Sequence, residues 1–344
     1  MKNTQYTNLW FCLKEKSKFI ETNMDTLTRK RTGSYYTDLE LTDIMMYELV
    51  EYLKAKEPNK KLCDYRFLEP CVGAGNFVFS YIKAVKATGI DAEDAQTMFD
   101  NIYVADVNID ALAGYKESLK EIALLFWNID LSDKYFDKHL GSGLLVDVTA
   151  ESMSYISINE VFSSEIVGSG FDIIATNPPY KNLKAERGHY RSDDEYDSDK
   201  DKYSVISKIV SKHFRYSTYG VLNLYKLFVE EIIDRYANAT SLISLLIPTS
   251  ILSDKSCMKL RTHMLKDTKM ISVKVIEEGS GYIDSKQALS SILLQKGEKT
   301  DKISKPKTYD FKDGSRNASA FEIHFDSYKS LILQGKVMSS NESA

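Results

Sequence analysis

Residues 171–180 read FDIIATNPPY, and the fold follows from them. Six mostly apolar residues, Phe171–Thr176, form a buried strand that delivers Asn177 at its carboxyl end. Pro178 and Pro179 then fix φ near about −65° and remove two backbone donors. Neither a helix nor a sheet ladder continues through them, so Asn177 is presented rigidly outward. A strand ending on a stiffened polar group belongs to an open parallel sheet whose carboxyl edge carries the chemistry.

Working upstream, residues 67–77 read FLEPCVGAGNF. A hydrophobic run stops at Glu69 and Pro70, Gly73 and Gly75 follow, and then a helix begins. Small residues at such a turn let a ligand approach the backbone, and the helix start offers free N–H groups to a nucleotide-like molecule. The dinucleotide fingerprint is not met, because Val78 stands where its third glycine belongs, which disfavours hydride transfer. Asp106 ends the next strand (IYVAD), where a carboxylate can accept from both ribose hydroxyls of an adenosine cofactor. Asp147 ends a third (GLLVD) and can accept from the adenine amine. Acids closing three successive strands are harder to read as solvated strand ends than any one of them.

The rhythm between these points is α/β throughout. Strands are expected at Arg66–Glu69, Ile102–Asp106, Leu144–Val148, Phe171–Thr176, Leu242–Ile247, Ser272–Ile276 and Ser290–Gln295. Helices are expected at Thr42–Lys54, Phe77–Ala87, Ile109–Leu125, Leu224–Tyr236 and Ser256–Leu265. The fold class is a seven-stranded, mostly parallel, doubly wound sheet whose last strand returns antiparallel. Residues 41–298 are expected to form one catalytic domain behind an N-terminal extension, 1–40. Residues 181–223 break the rhythm: the acidic tract SDDEYDSDKD (192–201) suggests a long mobile loop. From 299 to 344 the chain turns polar, with only Phe321–Phe325 strand-like, as in a tail or the beginning of a further domain.

With 43% hydrophobic and 27% charged residues over 344 positions, the chain carries enough apolar surface for one large core. No apolar run is long enough to span a membrane, and the N-terminus has no signal-peptide pattern, so a cytoplasmic location is expected. Four cysteines without a C-x-x-C pair support neither a zinc ribbon nor a redox motif. A formal net charge of −4 is a weak footprint for a protein that holds nucleic acid unaided. Local basic clusters occur at Lys14, Lys16 and Lys18, at Arg29, Lys30 and Arg31, and at Lys181, Lys184, Arg187 and Arg191. No paired-carboxylate and lysine arrangement points to a nuclease.

The chemistry suited to Asn177 is methyl transfer to an amine. Its amide oxygen and the Pro178 carbonyl are two acceptors matched to the two protons of an NH2 group. Holding both localises the nitrogen lone pair, otherwise spread into an aromatic ring, and makes it nucleophilic without a strong base. Tyr180 offers a flat surface for a base turned out of a duplex, worth about 1–3 kcal/mol.

At this point the chain resembles the gamma-type N6-adenine DNA methyltransferases, including the methylase regions of type IIG and type I-like restriction-modification enzymes. The resemblance spans about residues 29–296. Gly33, Tyr35, Tyr36 and Thr37 match the family's segment before the glycine motif, with Asp38 in place of the usual proline. Glu69, Pro70, Gly73 and Gly75 match the glycine motif, and Asn177, Pro178, Pro179 and Tyr180 match the catalytic motif. NLYKLF (223–228) and IPTSIL (247–252) resemble two later segments, the first near the target-base pocket. The resemblance implies S-adenosylmethionine as cofactor, held by Tyr36, Thr37, Glu69, Pro70, Gly73, Gly75, Asp106 and Asp147, with no metal. It implies DNA as substrate, adenine N6 as acceptor, and a place in restriction-modification or a related defence system. No segment remains to read a DNA sequence, so specificity is expected from a separate subunit or domain. Glutamine methyltransferases of the release-factor type share Asn-Pro-Pro-Tyr. Protein glutamine, RNA adenine and a catalytically silent subunit therefore stand as alternatives.

Overall fold

The computed structural model describes residues 9–15, 37–151, 153–276 and 288–300, together with the backbone of three short strands at 302–304, 307–308 and 322–324. In chain order the elements are α1 (Leu39–Lys56), β1 (Phe67–Glu69), α2 (Asn76–Lys86), α3 (Ala92–Asp100), β2 (Ile102–Ala105), α4 (Ile109–Trp127), α5 (Asp133–His139), β3 (Leu140–Gly141), β4 (Leu145–Val146) and β5 (Tyr155–Ile156). Then come α6 (Ile158–Val161), α7 (Ser164–Val167), β6 (Phe171–Thr176), α8 (Asp193–His213), α9 (Leu224–Glu231), β7 (Ala237–Pro248), α10 (Ser250–Ser253), α11 (Met258–Asp267), β8 (Thr268–Ile276) and β9 (Leu289–Lys296). The last strands are β10 (Lys302–Ser304), β11 (Lys307–Thr308) and β12 (Glu322–His324).

The main sheet runs β11-β8-β9-β7-β6-β1-β2-β3. Every neighbouring pair is parallel except those made by β9, which lies antiparallel between β7 and β8. The seven-stranded, mostly parallel sheet read from the sequence is therefore present, with the two-residue β11 added at one edge. Because side chains alternate along a strand, each central strand feeds both faces. Leu68, Tyr103, Ile174, Ile243 and Leu245 join one apolar core, and Phe67, Ile102, Val104, Ile173 and Leu246 join the other. Burial on both faces is why these strands are near-continuous apolar runs rather than alternating ones.

Two expectations are corrected. The run Leu144–Val148 is not the third strand of the main sheet; Leu140–Gly141 takes that place beside β2. Gly143 and Leu145 adopt positive φ, 125° and 70°, which turns the chain off the sheet edge. Leu145–Val146 then pairs antiparallel with Tyr155–Ile156 as a separate ribbon.

Residues 181–223 are not a loop throughout either, since they contain the 21-residue helix α8. The acidic tract that reads as mobile is its first turns. Ser192 caps it, accepting from the Glu195 N–H at 3.2 Å, and Asp193, Asp194 and Glu195 lie at the positive end of the helix dipole. Lys212 and His213 lie at the other end. One face, Asp199, Tyr203, Ile206 and Val210, is buried. The excursion is closed at its base, where Asn182 and Asn223 bridge and the Leu224 N–H donates to the Lys181 carbonyl at 2.8 Å. The strand-like Phe321–Phe325 matches β12, which pairs antiparallel with β10.

Candidate active site

The carboxyl ends of β1, β2 and β6 open into one cleft. Pro70, Cys71 and Gly73 line it from the glycine turn, and Asp106, Val107 and Asn108 from the end of β2. Leu144, Val146 and Val148 come from the ribbon, Asn177 and Pro179 from the end of β6, and Leu224 and Phe228 from α9.

The turn and the acid beside it hold each other. The Gly73 N–H donates to Asp106 Oδ2 at 2.7 Å, and the Asn108 N–H to Oδ1 at 2.8 Å. Burial raises the Asp106 carboxyl above its ordinary value, opposed by these main-chain donors and by that of Val107. Gly73 sits at φ 50°, where a side chain is disfavoured. Gly75 has another role: it does not line the cleft. With φ 92°, a Cβ there would lie 2.6 Å from Tyr115 Cδ2 and 2.7 Å from Phe79 Cζ, so the glycine is required by the Phe79–Tyr115 stack beneath it.

Glu69 is buried under the turn and its Oε2 meets no donor. Burial pushes its carboxyl well above the usual range, with one main-chain N–H, from Val78, acting the other way and the charge of Asp106 adding to the rise. Cys71, a lining residue that sequence reasoning passed over, has its thiol pushed up by burial and then by the charges of Asp106 and Glu69. A thiolate nucleophile is therefore disfavoured.

Asn177 is held at both ends of its amide. Its Nδ2 donates to Thr37 Oγ1 at 2.9 Å, and its Oδ1 accepts from the Tyr180 hydroxyl. The Leu246 carbonyl, 3.0 Å away, shares that hydroxyl's one proton. Thr37 is buried, and its carbonyl accepts from Asn76 Nδ2 at 2.6 Å, which ties the segment before α1 to the start of α2. Its hydroxyl thus serves Asn177 rather than the cleft surface. Asp38, in the family's proline position, has φ −61°, a value proline itself adopts, and its side chain caps α1 through the Glu40 N–H at 2.8 Å.

Pro178 is buried, and the Tyr180 ring meets Tyr225 edge-on, with centroids 6.2 Å apart. Gly33, Tyr35 and Tyr36 lie outside the described residues. Asp147 is not brought into the wall. Its Oδ1 accepts from the Thr149 N–H at 2.7 Å and hydroxyl at 2.6 Å, and its charge adds to the rise of the Asp106 carboxyl. The apolar lining from Leu144, Val146, Val148, Leu224 and Phe228 was legible only as core residues.

An open sheet in this strand order, with its cleft where the order reverses beside β1, defines the class I S-adenosylmethionine-dependent methyltransferase fold. The family model of the Eco57I restriction-modification methylases matches residues 100–280, and the chain belongs to that family. Solved structures share the fold at low identity. In the DrdV–DNA complex, 14% of residues are identical, with a TM-score of 0.62 over 90% of this chain and 32% of the other. The type IIG restriction endonuclease BpuSI gives 14%, 0.56, 87% and 32%. The M protein of the type I restriction enzyme EcoKI gives 13%, 0.50, 80% and 48%. The chain therefore spans half or less of each of these proteins. No curated protein matches the sequence. Among the described residues no helix is long and apolar enough to cross a membrane, and no cluster of His, Cys, Asp and Glu could hold a metal ion.

Proposed function

We propose that this chain methylates the exocyclic N6 amine of adenine in DNA, as the methylase part of a restriction-modification or related defence system, with sequence recognition supplied by another subunit or domain. The reading rests on one observation: an asparagine amide, oriented at both ends, stands on the wall of the same cleft as a glycine turn clasped to a strand-end carboxylate.

S-adenosylmethionine, when bound, supplies an electrophilic methyl on a sulfonium. The residues fit it. The Gly73 turn lets a ligand approach the backbone, Asp106 retains lone pairs for ribose hydroxyls, and the valines and Leu144 offer apolar contact to an adenine ring. The unpartnered Oε2 of buried Glu69 waits under the turn for a donor or a positive charge. Pro70 joins the same wall and Thr37 holds the Asn177 amide beside it, while a contact from Tyr36 rests on the family resemblance alone. Asp147, whose Oδ1 takes both Thr149 donors, can accept through Oδ2, and Gly75 acts by keeping the turn packed.

On the acceptor side, Asn177 Oδ1 is an sp2 amide oxygen, and the Pro178 carbonyl supplies the other acceptor. Between them they hold both amine protons and confine the nitrogen lone pair. Pro179 keeps the two acceptors rigid, and Tyr180 both aims the amide and offers its ring edge. No His or Lys is among the described lining residues, in keeping with attack that needs no base first. The suppressed Cys71 thiolate disfavours transfer to a ring carbon, which requires a covalent thiolate step.

The test is methyl transfer from tritiated S-adenosylmethionine to DNA, RNA and protein acceptors, followed by hydrolysis to nucleosides and amino acids. Label is expected in N6-methyladenine from DNA. Asn177→Ala is expected to abolish transfer while cofactor affinity stays within a few-fold. Label in glutamine or in RNA, or transfer that survives Asn177→Ala, would overturn the assignment.

A further inference from the structure

The chain is acidic overall, yet one part of its surface is not. Residues 202–226 and 255–266 hold nine lysines and arginines and not one Asp or Glu. The first segment is the second half of α8 and the loop into α9; the second is the turn before α11 and most of that helix. The fold packs the two together. Tyr216 stacks on His263 with centroids 4.0 Å apart, Lys259 Nζ lies 5.5 Å from the Tyr219 ring centre, and a Cβ on Gly220 would stand 2.8 Å from Ser256 Cβ.

The loop between them is anchored from below. Buried Glu230 accepts from the N–H groups of Arg215 at 2.6 Å, Tyr216 at 3.0 Å and Ser217 at 2.7 Å, and from the Ser217 hydroxyl at 2.6 Å. The carboxylates bordering the face are occupied. Asp234 and Asp267 hold the two ring nitrogens of His263, and Asp254 accepts from the Ser256 N–H.

Lys208, Lys212, Arg215, Lys255, Lys259 and Lys266 are exposed, and none has an ion-pair partner among the described residues. Several other cations are neutralised. In the cluster of Lys181, Lys184, Arg187 and Arg191, Lys184 pairs with Glu186, Arg187 pairs with Asp193, and Lys181 is buried. Three exposed apolar side chains, Tyr219, Val221 and Met258, are set among the unpaired cations. Three residues beyond Val221 the chain reaches Leu224, on the cleft wall. Unpaired cations around an exposed aromatic ring, next to a cleft, suit a polyanion that carries flat bases.

We propose that this face, formed by the end of α8, the 214–223 loop and the start of α11, is the track on which the DNA backbone flanking the target base lies. The proposal rests on the DNA reading above. Its occupant is the phosphate chain, and Tyr219, Val221 and Met258 meet sugars or an unstacked base. With a formal net charge of −4 over the whole chain, a duplex gains its attraction from local concentrations of cations such as this one.

Each phosphate contact contributes about 0.9 to the slope of log affinity against log salt for duplex DNA. The quadruple variant Lys212→Gln/Arg215→Gln/Lys255→Gln/Lys259→Gln of the full chain is expected to lower that slope by about three to four. Binding of a labelled adenine-containing duplex would be followed from low to moderate salt, and cofactor affinity is expected to be unchanged. The control Lys134→Gln/Lys138→Gln, exposed on α5, is expected to leave the slope within about 0.5, because distant charges are screened. Single Lys255→Gln and Lys259→Gln variants, lowering the slope by about 0.9 each, keep the test valid should the quadruple variant fold poorly. If the unaltered chain methylates DNA but the variants keep its slope, this face is not the DNA track and suits an acidic partner chain. If the variants lose the slope while the unaltered chain transfers no methyl, the track stands and the activity falls. If the unaltered chain binds no duplex at low salt, both fall.

Discussion

Tyr180→Phe separates two roles that the residue could play. The ring is a stacking surface in either residue, and only the hydroxyl is lost. That hydroxyl has one proton, shared between Asn177 Oδ1 and the Leu246 carbonyl, so the two acceptors lose a shared donor. A neutral hydrogen bond is worth about 0.5–1.5 kcal/mol net, and a buried acceptor left short costs about 1–3 kcal/mol. A stability loss of about 1–3 kcal/mol is expected, read as a fall of roughly 2–4 °C in Tm per kcal/mol. For catalysis the quantity that matters is the orientation of the Asn177 amide. Thr37 Oγ1 still holds its Nδ2 at 2.9 Å, so the amide loosens without being released. A loss near 1.4 kcal/mol of transition-state stabilisation gives about a tenfold fall in kcat. Single-turnover methyl transfer at saturating cofactor measures it, with DNA KM expected within about twofold because the ring remains. Thr37→Val removes the other anchor, and the double variant should lose more than the product of the single losses, since both act on one amide. A Tyr180→Phe enzyme with unaltered kcat, alongside a Tyr180→Leu enzyme whose DNA KM rises steeply, would refute this reasoning and leave stacking as the whole role.

Two further outcomes follow from the glycine turn. Gly75→Ala forces a side chain to φ 92° and into Tyr115 and Phe79, so a loss of about 2–4 kcal/mol in stability is expected from backbone strain and overpacking. Cofactor affinity, measured calorimetrically well below the melting temperature, should stay within a few-fold, and lost affinity at an unchanged Tm would make Gly75 a ligand instead. Glu69 gives a pH signature. Its folded-state pKa is raised by burial, so its contribution to stability is full below its unfolded pKa and is lost as pH rises through the folded one. Glu69→Gln should therefore flatten the decline in Tm of the ligand-free chain as pH rises above the ordinary carboxylate range, while weakening the cofactor by removing the one group beneath the turn that can ionise toward it. Parallel Tm-against-pH curves for the two proteins would mean that Glu69 is not the titrating group.

How much of this was legible before folding depends on the reach of each signal. The central strands announced themselves, because burial on both faces leaves an apolar run that no helix face imitates. The Asn177 turn was legible because two prolines leave the backbone little choice, and Gly73 and Asp106 because strand ends in such a sheet converge on one edge. The acidic start of α8 was misread as a loop: its tract looks solvated by composition, and the stabilising cap, dipole and buried Tyr203–Val210 face lie mostly beyond it. The Leu144–Val148 strand was misplaced because a strand pattern fixes alternation but not the sheet it joins. A turn at Gly143 and Leu145 moved the ribbon, leaving Val146 and Val148 to face the cleft.

Local sequence thus determined the fold class, the strand that carries Asn177 and the turn that clasps Asp106, since each follows from short-range sterics and from burial along a single element. Tertiary structure alone decided that Thr37 and Tyr180 grip one amide from 140 residues upstream and three downstream. It alone also gathered unpaired cations from α8 and α11 on one face of an acidic chain. Contacts between distant segments depend on how helices dock across a sheet, and no residue pattern within either segment encodes the other.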